Sequence, residues 1–179
     1  MKANYIYIAC FLIFLYSCGN QEQEQQQQKK YIDVQLLKKQ LEKVQKPALV
    51  MEDDNIESYI KQHQLKMQTT GTGLRYLIAK KNPTGKTIVT TDIVKLNYKV
   101  YLLDGTLCYS SDKKGAKKVK IDFDNIETGL HQGLKLMKEG EKAIFILPSH
   151  LAHGLTGDND KIPPKASVVY EIEVMRVTH

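Results

Sequence analysis

The strongest constraint on the fold is a run of alternating residues over 92–103. Every second side chain in this run is apolar, namely Val94, Leu96, Tyr98, Val100 and Leu102. The side chains between them are mostly polar, so one face of such a strand is buried while the other meets water. Asp104-Gly105 follows directly and is typical of a tight hairpin turn. The pattern therefore predicts an antiparallel sheet with a hairpin at this point.

The rest of the C-terminal half continues this architecture. Further strands are predicted at 74–79, 106–110, 118–123, 141–147 and 166–177. A single helix lies among them, with one apolar face formed by Ile126, Leu130, Leu134 and Met137. This helix begins either at a capping-box-like pair, Asp124 and Glu127, or later, near Gly129. The predicted class is α+β, a curved antiparallel sheet forming a half-barrel around one short helix.

Two helical segments are predicted before this domain. The first covers 31–45, and the second starts at Asp53 or Asp54. Each has an apolar stripe, formed by Val34, Leu37, Leu41 and Val44 in the first and by Ile56, Tyr59 and Ile60 in the second. Because an apolar stripe needs a partner, two alternatives arise. The helices pack on their own C-terminal domain, or they form an arm for a homodimer or another docking partner.

The N-terminus has the features of a targeting segment. Met1-Lys2 precedes an apolar run over 5–16, about the length of a signal-peptide core and shorter than the roughly 20 residues of a membrane-spanning helix. Its end, Leu15-Tyr16-Ser17-Cys18, resembles a bacterial lipobox, which implies lipidation of Cys18. The alternative is a signal peptide without a lipid. The expected organisation is a lipoprotein signal peptide at 1–17, a disordered tether at 18–30, a helical segment at 31–68 and a domain at 73–179.

Composition excludes several classes of function. The net charge of +6 is spread over scattered lysines, so no nucleic-acid partner is expected. Of the three cysteines, Cys10 and Cys18 lie in the N-terminal region, which leaves Cys108 without a disulfide partner in a processed chain. His150 and His153 lack a matching cysteine or carboxylate nearby, so no metal site is expected.

Four segments of the C-terminal half resemble the FKBP family of peptidyl-prolyl isomerases. In chain order they are VKLNYKVYLLDGTLCYSS, IETGLHQGLKLMKEGEKA, LPSHLAHG and KIPPKASVVYEIEVM. With the lipobox, they look most like the gliding-motility-associated FKBP lipoproteins of bacteria. The resemblance implies an isomerase without a cofactor that acts on proline-containing polypeptides. It also implies lipid anchoring in the cell envelope, at the periplasmic side of the outer membrane, and assistance to the folding of exported envelope proteins.

The same resemblance places a proline-binding slot on particular residues. Carried over by position, the residues expected in catalysis are Tyr98, Tyr109, Glu127, Leu130, His153 and Tyr170. Leu130 is the expected floor, and the backbone N–H of Glu127 is the expected donor to the substrate carbonyl. The residues expected to bind substrate are Cys108, Val119, Ile126 and Ile162.

Several of these positions depart from the family pattern. Cys108 stands where the family has Phe, and Val119 stands where it has an aromatic residue. Tyr109 replaces a carboxylate, and His153 replaces a hydroxyl donor. The alternative function is therefore a catalytically weak FKBP-fold binding module or chaperone. On pattern alone, the apolar members of the site would be ordinary core, and Cys108 a small buried hydrophobe.

Overall fold

The computed structural model describes residues 30–31, 35–40, 49–113 and 115–179. Internal contacts divide the chain into two units, Met1–Leu49 and Val50–His179. In the first unit, 30–31 and 35–40 are helical. The rest of the predicted first helix, and Cys18, lie outside the described residues. Within the described ranges, no helix is both long enough and apolar enough to cross a bilayer.

The second unit is built on a seven-stranded antiparallel sheet. Its strands are β1 Gln68–Thr69, β2 Arg75–Lys80, β3 Ile93–Leu102, β4 Leu107–Ser110, β5 Lys117–Lys120, β6 Lys142–Leu147 and β7 Val168–Thr178. Their order is β1-β2-β6-β7-β3-β4, and β5 pairs with β3 beyond the end of β4. The register between β3 and β7 shifts between Lys95 and Leu96, where Met175 is the extra residue of a bulge in β7. The predicted α+β class is confirmed.

The helix between β5 and β6, α2, spans Thr128–Leu134 and is shorter than its apolar pattern predicted. Ile126 precedes it and Met137 follows it. The predicted capping box is wrong, because the N-cap residue, Glu127, makes no side-chain cap hydrogen bond. The carboxylate of Asp124 instead accepts a hydrogen bond from the N–H of Lys120 at 2.9 Å, which closes the loop before the helix.

The concave face of the sheet and α2 enclose the main core. The alternating apolar residues of β3 and β7 point into it, together with Leu130 and Leu134 of α2. Glycines allow a very close approach between α2 and β6. A methyl group added at Gly133 would lie 2.5 Å from the ring of Phe145, and one added at Gly129 would lie 2.7 Å from the side chain of Leu147.

The convex face of the sheet is covered by another helix, α1, which precedes the strands in the chain and is described over 49–62. Ile56 of α1 is fully buried against Ile146 of β6 and Val169 of β7, with Tyr59 and Ile60 packed around them. For this helix, packing on its own domain is therefore confirmed. Contacts divide the chain after Leu49, whereas the sequence placed the boundary between 68 and 73.

Candidate functional site

A cavity of about 240 Å³ opens on the concave side, between the sheet and the start of α2. We call this cavity the slot. Most of the residues predicted for the site line it, namely Tyr98, Tyr109, Val119, Glu127, Leu130, His153 and Tyr170. They come from four strands, from the start of α2 and from the loop between β6 and β7. The fold thus brings together side chains that are far apart along the chain.

The inner part of the slot is apolar. Leu130 projects from α2 and is 4% exposed, while Val119 of β5 is fully buried. Tyr170 of β7 is also 4% exposed, and Tyr98 of β3 is half-buried beside it. An apolar recess of this size suits a small aliphatic ring better than a charged or strongly hydrated group.

One polar edge of the slot is organised by the carboxylate of Glu127. Its Oε1 atom accepts a hydrogen bond from the hydroxyl of Tyr170 at 2.7 Å and lies 2.8 Å from Nε2 of His153. Burial, and then the neighbouring charge of Glu127, raise the pKa of Tyr170 well above its usual value. Tyr170 therefore stays protonated and acts as a donor. Glu127 ties the start of α2 to β7 and to the loop after β6.

A second polar edge is built on Tyr109 and Asp158. The Tyr109 hydroxyl donates to the carboxylate of Asp158, and the carboxylate of Asp160 lies 3.2 Å away. The hydrogen bond to Asp158, followed by burial, raises the pKa of Tyr109. Burial alone would raise the pKa of Asp158, but hydrogen bonds from Tyr109 and from the N–H groups of Asp160 and Ile162 lower it to about 2. Asp158 is therefore a carboxylate and Tyr109 a phenol.

Two hydrogen-bond donors at the slot are left without protein acceptors. Among the described residues, the hydroxyl of Tyr98 makes no hydrogen bond, whereas its backbone N–H donates to the hydroxyl of Ser111 at 3.0 Å. No buried polar side-chain atom in the described ranges lacks a partner, so this hydroxyl is reached by solvent. The N–H of Glu127 also has no acceptor within the described chain. Both donors are free to bind a ligand.

Three predicted residues do not line the slot. Cys108 and Ile162 are each 2% exposed and belong to the core, and Ile126 packs against that core. Burial, and then the negative charge of Asp158, raise the pKa of the Cys108 thiol. Cys108 is thus a protonated core side chain in this structure. The assignment of these three residues to substrate binding remains a prediction.

Four lining residues were not predicted, namely Leu96, Val100, Lys117 and Asp158. Leu96 and Val100 lie two residues either side of Tyr98 on the same face of β3, so the alternation could have identified them. Lys117 pairs with Leu96 across the strands, but its charge gives no signal for a slot. Asp158 accepts hydrogen bonds from Asp160 and Ile162, as acidic turn residues often do. Its contact with Tyr109 could not be foreseen from local sequence.

A larger depression, of about 630 Å³, crosses β3, β6 and β7 and shares Tyr98 with the slot. Its charged side chains are largely paired with each other, as in the Lys99–Asp112 and Lys142–Glu173 ion pairs at 3.2 and 3.1 Å. It lacks the apolar floor on Leu130 and the N–H of Glu127, which line only the slot. In the described part of the chain, no three His, Cys, Asp or Glu side chains are grouped as ligands for a metal ion. The slot is therefore the candidate site.

Comparison with known proteins identifies relatives of this domain. Residues 85–175 match the family model of the FKBP-type peptidyl-prolyl cis-trans isomerase. The probable FKBP-type peptidyl-prolyl cis-trans isomerase FkpA of Neisseria meningitidis is 34% identical over 123 residues, which are 68% of this chain and 44% of that protein. FkpA of Escherichia coli is 32% identical over 111 residues, which are 62% of this chain and 40% of that protein.

Solved structures agree with these matches. The crystal structure of FkpA from Escherichia coli superposes with a TM-score of 0.64 at 28% identity, covering 87% of this chain and 72% of that one. AtFKBP13 superposes with a TM-score of 0.59 at 22% identity, covering 63% of this chain and 99% of that one, which shows a shared fold. The chain spans less than half the length of the FkpA relatives it matches in sequence.

Proposed function

The chain belongs to the FKBP-type peptidyl-prolyl cis-trans isomerase family, and from that premise we propose that it catalyses the cis–trans isomerisation of peptide bonds preceding proline. The observation that carries the proposal is the slot, an apolar recess on Leu130 with two free hydrogen-bond donors at its edge. Rotation about a peptide bond faces a barrier of about 18–20 kcal/mol because amide resonance is lost. Such a reaction needs binding and orientation rather than a nucleophile.

The geometry supports separate roles for the apolar residues and the hydrogen-bond donors of the slot. The proline ring packs on Leu130, between Val119 and the rings of Tyr98 and Tyr170. In this apolar setting the planar, solvated amide loses its water, while the twisted amide fits the recess. The free N–H of Glu127 donates to the carbonyl that precedes proline, as the family resemblance implies. The hydroxyl of Tyr98 supplies a second donor.

A binding module that accelerates isomerisation only weakly is the second candidate. It is favoured by the state of the polar edges, where the hydroxyls of Tyr109 and Tyr170 are already committed to carboxylates. These phenols cannot donate to a substrate without first breaking those hydrogen bonds. A slot of this kind would hold a proline-containing segment and leave rotation to the Glu127 N–H and Tyr98.

The deciding experiment measures turnover of a proline peptide by the wild-type chain and by Tyr98→Phe. This change removes one hydroxyl and keeps the ring, so we expect kcat/KM to fall about five- to tenfold, which corresponds to one hydrogen bond of about 1 kcal/mol. Tyr101→Phe, on the same strand but in the cluster on the convex face, is the matched control and should keep wild-type turnover.

If the wild-type chain binds the peptide but isomerisation proceeds only at its uncatalysed rate, the protein is a binding module instead. Equal losses in Tyr98→Phe and Tyr101→Phe would show that the Tyr98 hydroxyl has no special role in the slot.

We further propose that the protein is a lipoprotein of the cell envelope, anchored at the periplasmic side of the outer membrane through Cys18, where it assists folding of exported proteins. The sequence around Cys18 and the apolar run before it support this placement. A role in gliding motility, and a homodimer through the N-terminal helices, are proposals of the same kind.

Anchoring is tested with Cys18→Ser in cells. Loss of the protein from the membrane fraction, or a block in processing, is expected, because acyl chains hold such proteins through about 0.8 kcal/mol per buried CH₂. Cys108→Ser is the control and should fractionate as the wild type does. Normal maturation and membrane association of Cys18→Ser would rule out the lipid anchor.

A further inference from the structure

The loop that closes one side of the slot is held at both of its ends. The connection between β6 and β7 covers 148–167, and we call its residues 149–167 the slot loop. It carries His153 and Asp158, which line the slot from above. Its first residue, Ser149, is 9% exposed, and its last, Ser167, is 6% exposed. The two ends are therefore buried, while the middle of the loop reaches the site.

One carboxylate from α1 binds both ends. Oε1 of Glu52 accepts a hydrogen bond from the N–H of Ser149 at 2.6 Å and another from the hydroxyl of Ser167 at 2.6 Å. Oε2 of Glu52 accepts the hydroxyl of Ser149 at 3.1 Å. Hydrogen bonds to an ionised acceptor are stronger than neutral ones. Glu52 thus fixes the distance between the two ends of the slot loop.

Ser149 passes this constraint on to the slot. Its carbonyl oxygen accepts hydrogen bonds from the N–H groups of Ala152 at 3.0 Å and Gly154 at 2.8 Å. These residues flank His153 on both sides. His153 in turn lies 2.8 Å from the carboxylate of Glu127, which receives the hydroxyl of Tyr170. A short chain of hydrogen bonds therefore leads from Glu52 to the polar edge of the slot.

Among the described residues, the second polar attachment of α1 makes no hydrogen bond to this loop. Arg75 of β2 pairs with the carboxylates of Asp53 and Glu57 and donates to the carbonyl oxygen of Gly73 at 2.7 Å. Arg75 is nearly buried, with 7% of its side chain exposed. Loss of these two carboxylates would leave the charge of Arg75 unpaired and loosen α1, without removing a hydrogen bond of Ser149.

We propose that Glu52 is a positioning residue of the slot. Its carboxylate holds the slot loop so that His153 and Asp158 stay at the polar edges. Docking of α1 on the convex face thereby sets the geometry of a site on the concave face. The inference rests on the proposed function, since it assigns a role in that same site.

The test compares Glu52→Ala, Glu52→Gln and the double variant Asp53→Asn/Glu57→Gln in the full chain. Turnover of a proline peptide and hydrogen exchange at the amides of Ala152 and Gly154 are measured for each. In Glu52→Ala we expect faster exchange at both amides and a kcat/KM about tenfold lower, below the roughly 100-fold that a 1 Å misplacement can produce. Glu52→Gln keeps an acceptor oxygen, so it should recover most of the wild-type turnover and most of the wild-type protection of both amides from exchange. The double variant should keep wild-type values.

Equal losses in Glu52→Ala and in the double variant would overturn the proposal, because they would reflect docking of α1 alone. Unchanged exchange and turnover in Glu52→Ala would overturn it as well. If the wild-type chain shows no turnover, the proposed activity fails, and the exchange of Ala152 and Gly154 still decides whether Glu52 holds the loop.

Discussion

Each face of the sheet is covered by a helix, but the two helices differ in length and in how they pack on the sheet. On the convex face, α1 fills the surface with Ile56 and fastens itself with carboxylates to Arg75, Ser149 and Ser167. On the concave face, α2 is much shorter and lies close to β6 because Gly133 allows it. A cavity remains beside the start of α2, where Leu130 meets β3 and β7.

The difference shows how one sheet can supply both stability and a site. On the convex face, α1 contributes apolar burial through Ile56, Tyr59 and Ile60. A surface covered by a short helix leaves part of its apolar strands facing a recess, which is the property that a binding slot needs. The polar groups differ accordingly. On the convex side they join the helix to the sheet, and on the concave side they form the edges of the slot.

Ile56→Ala tests whether packing of α1 on the convex face stabilises the domain, and it has the largest expected effect. It removes a fully buried side chain and should lower the free energy of unfolding by about 2–5 kcal/mol in a single urea transition. Met51→Ala, on the same helix but 66% exposed, should change it by less than about 0.5 kcal/mol. A loss from Ile56→Ala as small as that of Met51→Ala would mean that α1 is not part of the cooperative unit.

Gly133→Ala probes the close approach on the concave side. The added methyl would lie 2.5 Å from the ring of Phe145, so overpacking should destabilise the domain by about 1–3 kcal/mol. Helix propensity alone would favour Ala over Gly by about 1 kcal/mol, so the sign of the change separates packing from propensity. Gly71→Ala, where no atom lies within 4 Å of the new methyl, is the thermal-unfolding control. A more stable Gly133→Ala would contradict the proximity of α2 and β6.

Tyr170→Phe tests the polar edge at Glu127. Removing the buried hydroxyl takes away one donor to a carboxylate whose side chain is only 13% exposed, and should cost about 1–2 kcal/mol of stability. The exposed hydroxyl of Tyr76, bonded to Gln68 at 2.5 Å, is the matched control, and Tyr76→Phe should change stability by less than about 0.5 kcal/mol. Chemical denaturation of both variants gives the comparison, and equal values would show that the Tyr170–Glu127 bond contributes nothing beyond an exposed one.

The smallest expected effect concerns pH and the edge at Asp158. Its pKa of about 2 in the folded chain lies below the value of about 3.9 in an unfolded one. The stabilisation from its ionised form is therefore complete above pH about 4 and is lost as the pH falls towards about 2. The difference in unfolding free energy between wild type and Asp158→Asn should shrink over that range and stay constant from pH 6 to 8. A difference that is flat down to pH 2 would contradict the hydrogen bonds assigned to Asp158.

The local pattern of apolar and polar residues was sufficient to predict the sheet and the apolar part of the slot. The alternation around Tyr98 and Tyr170 places their side chains on the concave face, because a strand reverses its side chains at each residue. The polar edges were not accessible in the same way. The Tyr109–Asp158 and Glu52–Ser149 contacts join residues far apart in the chain, and no periodicity encodes such pairs. Tyr109 was interpreted as a replacement for a carboxylate, whereas the structure shows it bound to one.

The strand order has a consequence for how the chain folds. β7 lies between β6 and β3 in the middle of the sheet, and Ile93 at the start of β3 pairs with Thr178 at the end of β7. During synthesis on the ribosome, β3 therefore emerges long before β7, its main partner, which is made only when nearly the whole domain has been synthesised. Pairings of such long sequence separation fold slowly and leave strand edges exposed in the meantime. A nascent chain of this protein would itself be a client for chaperones until residues 168–178 emerge.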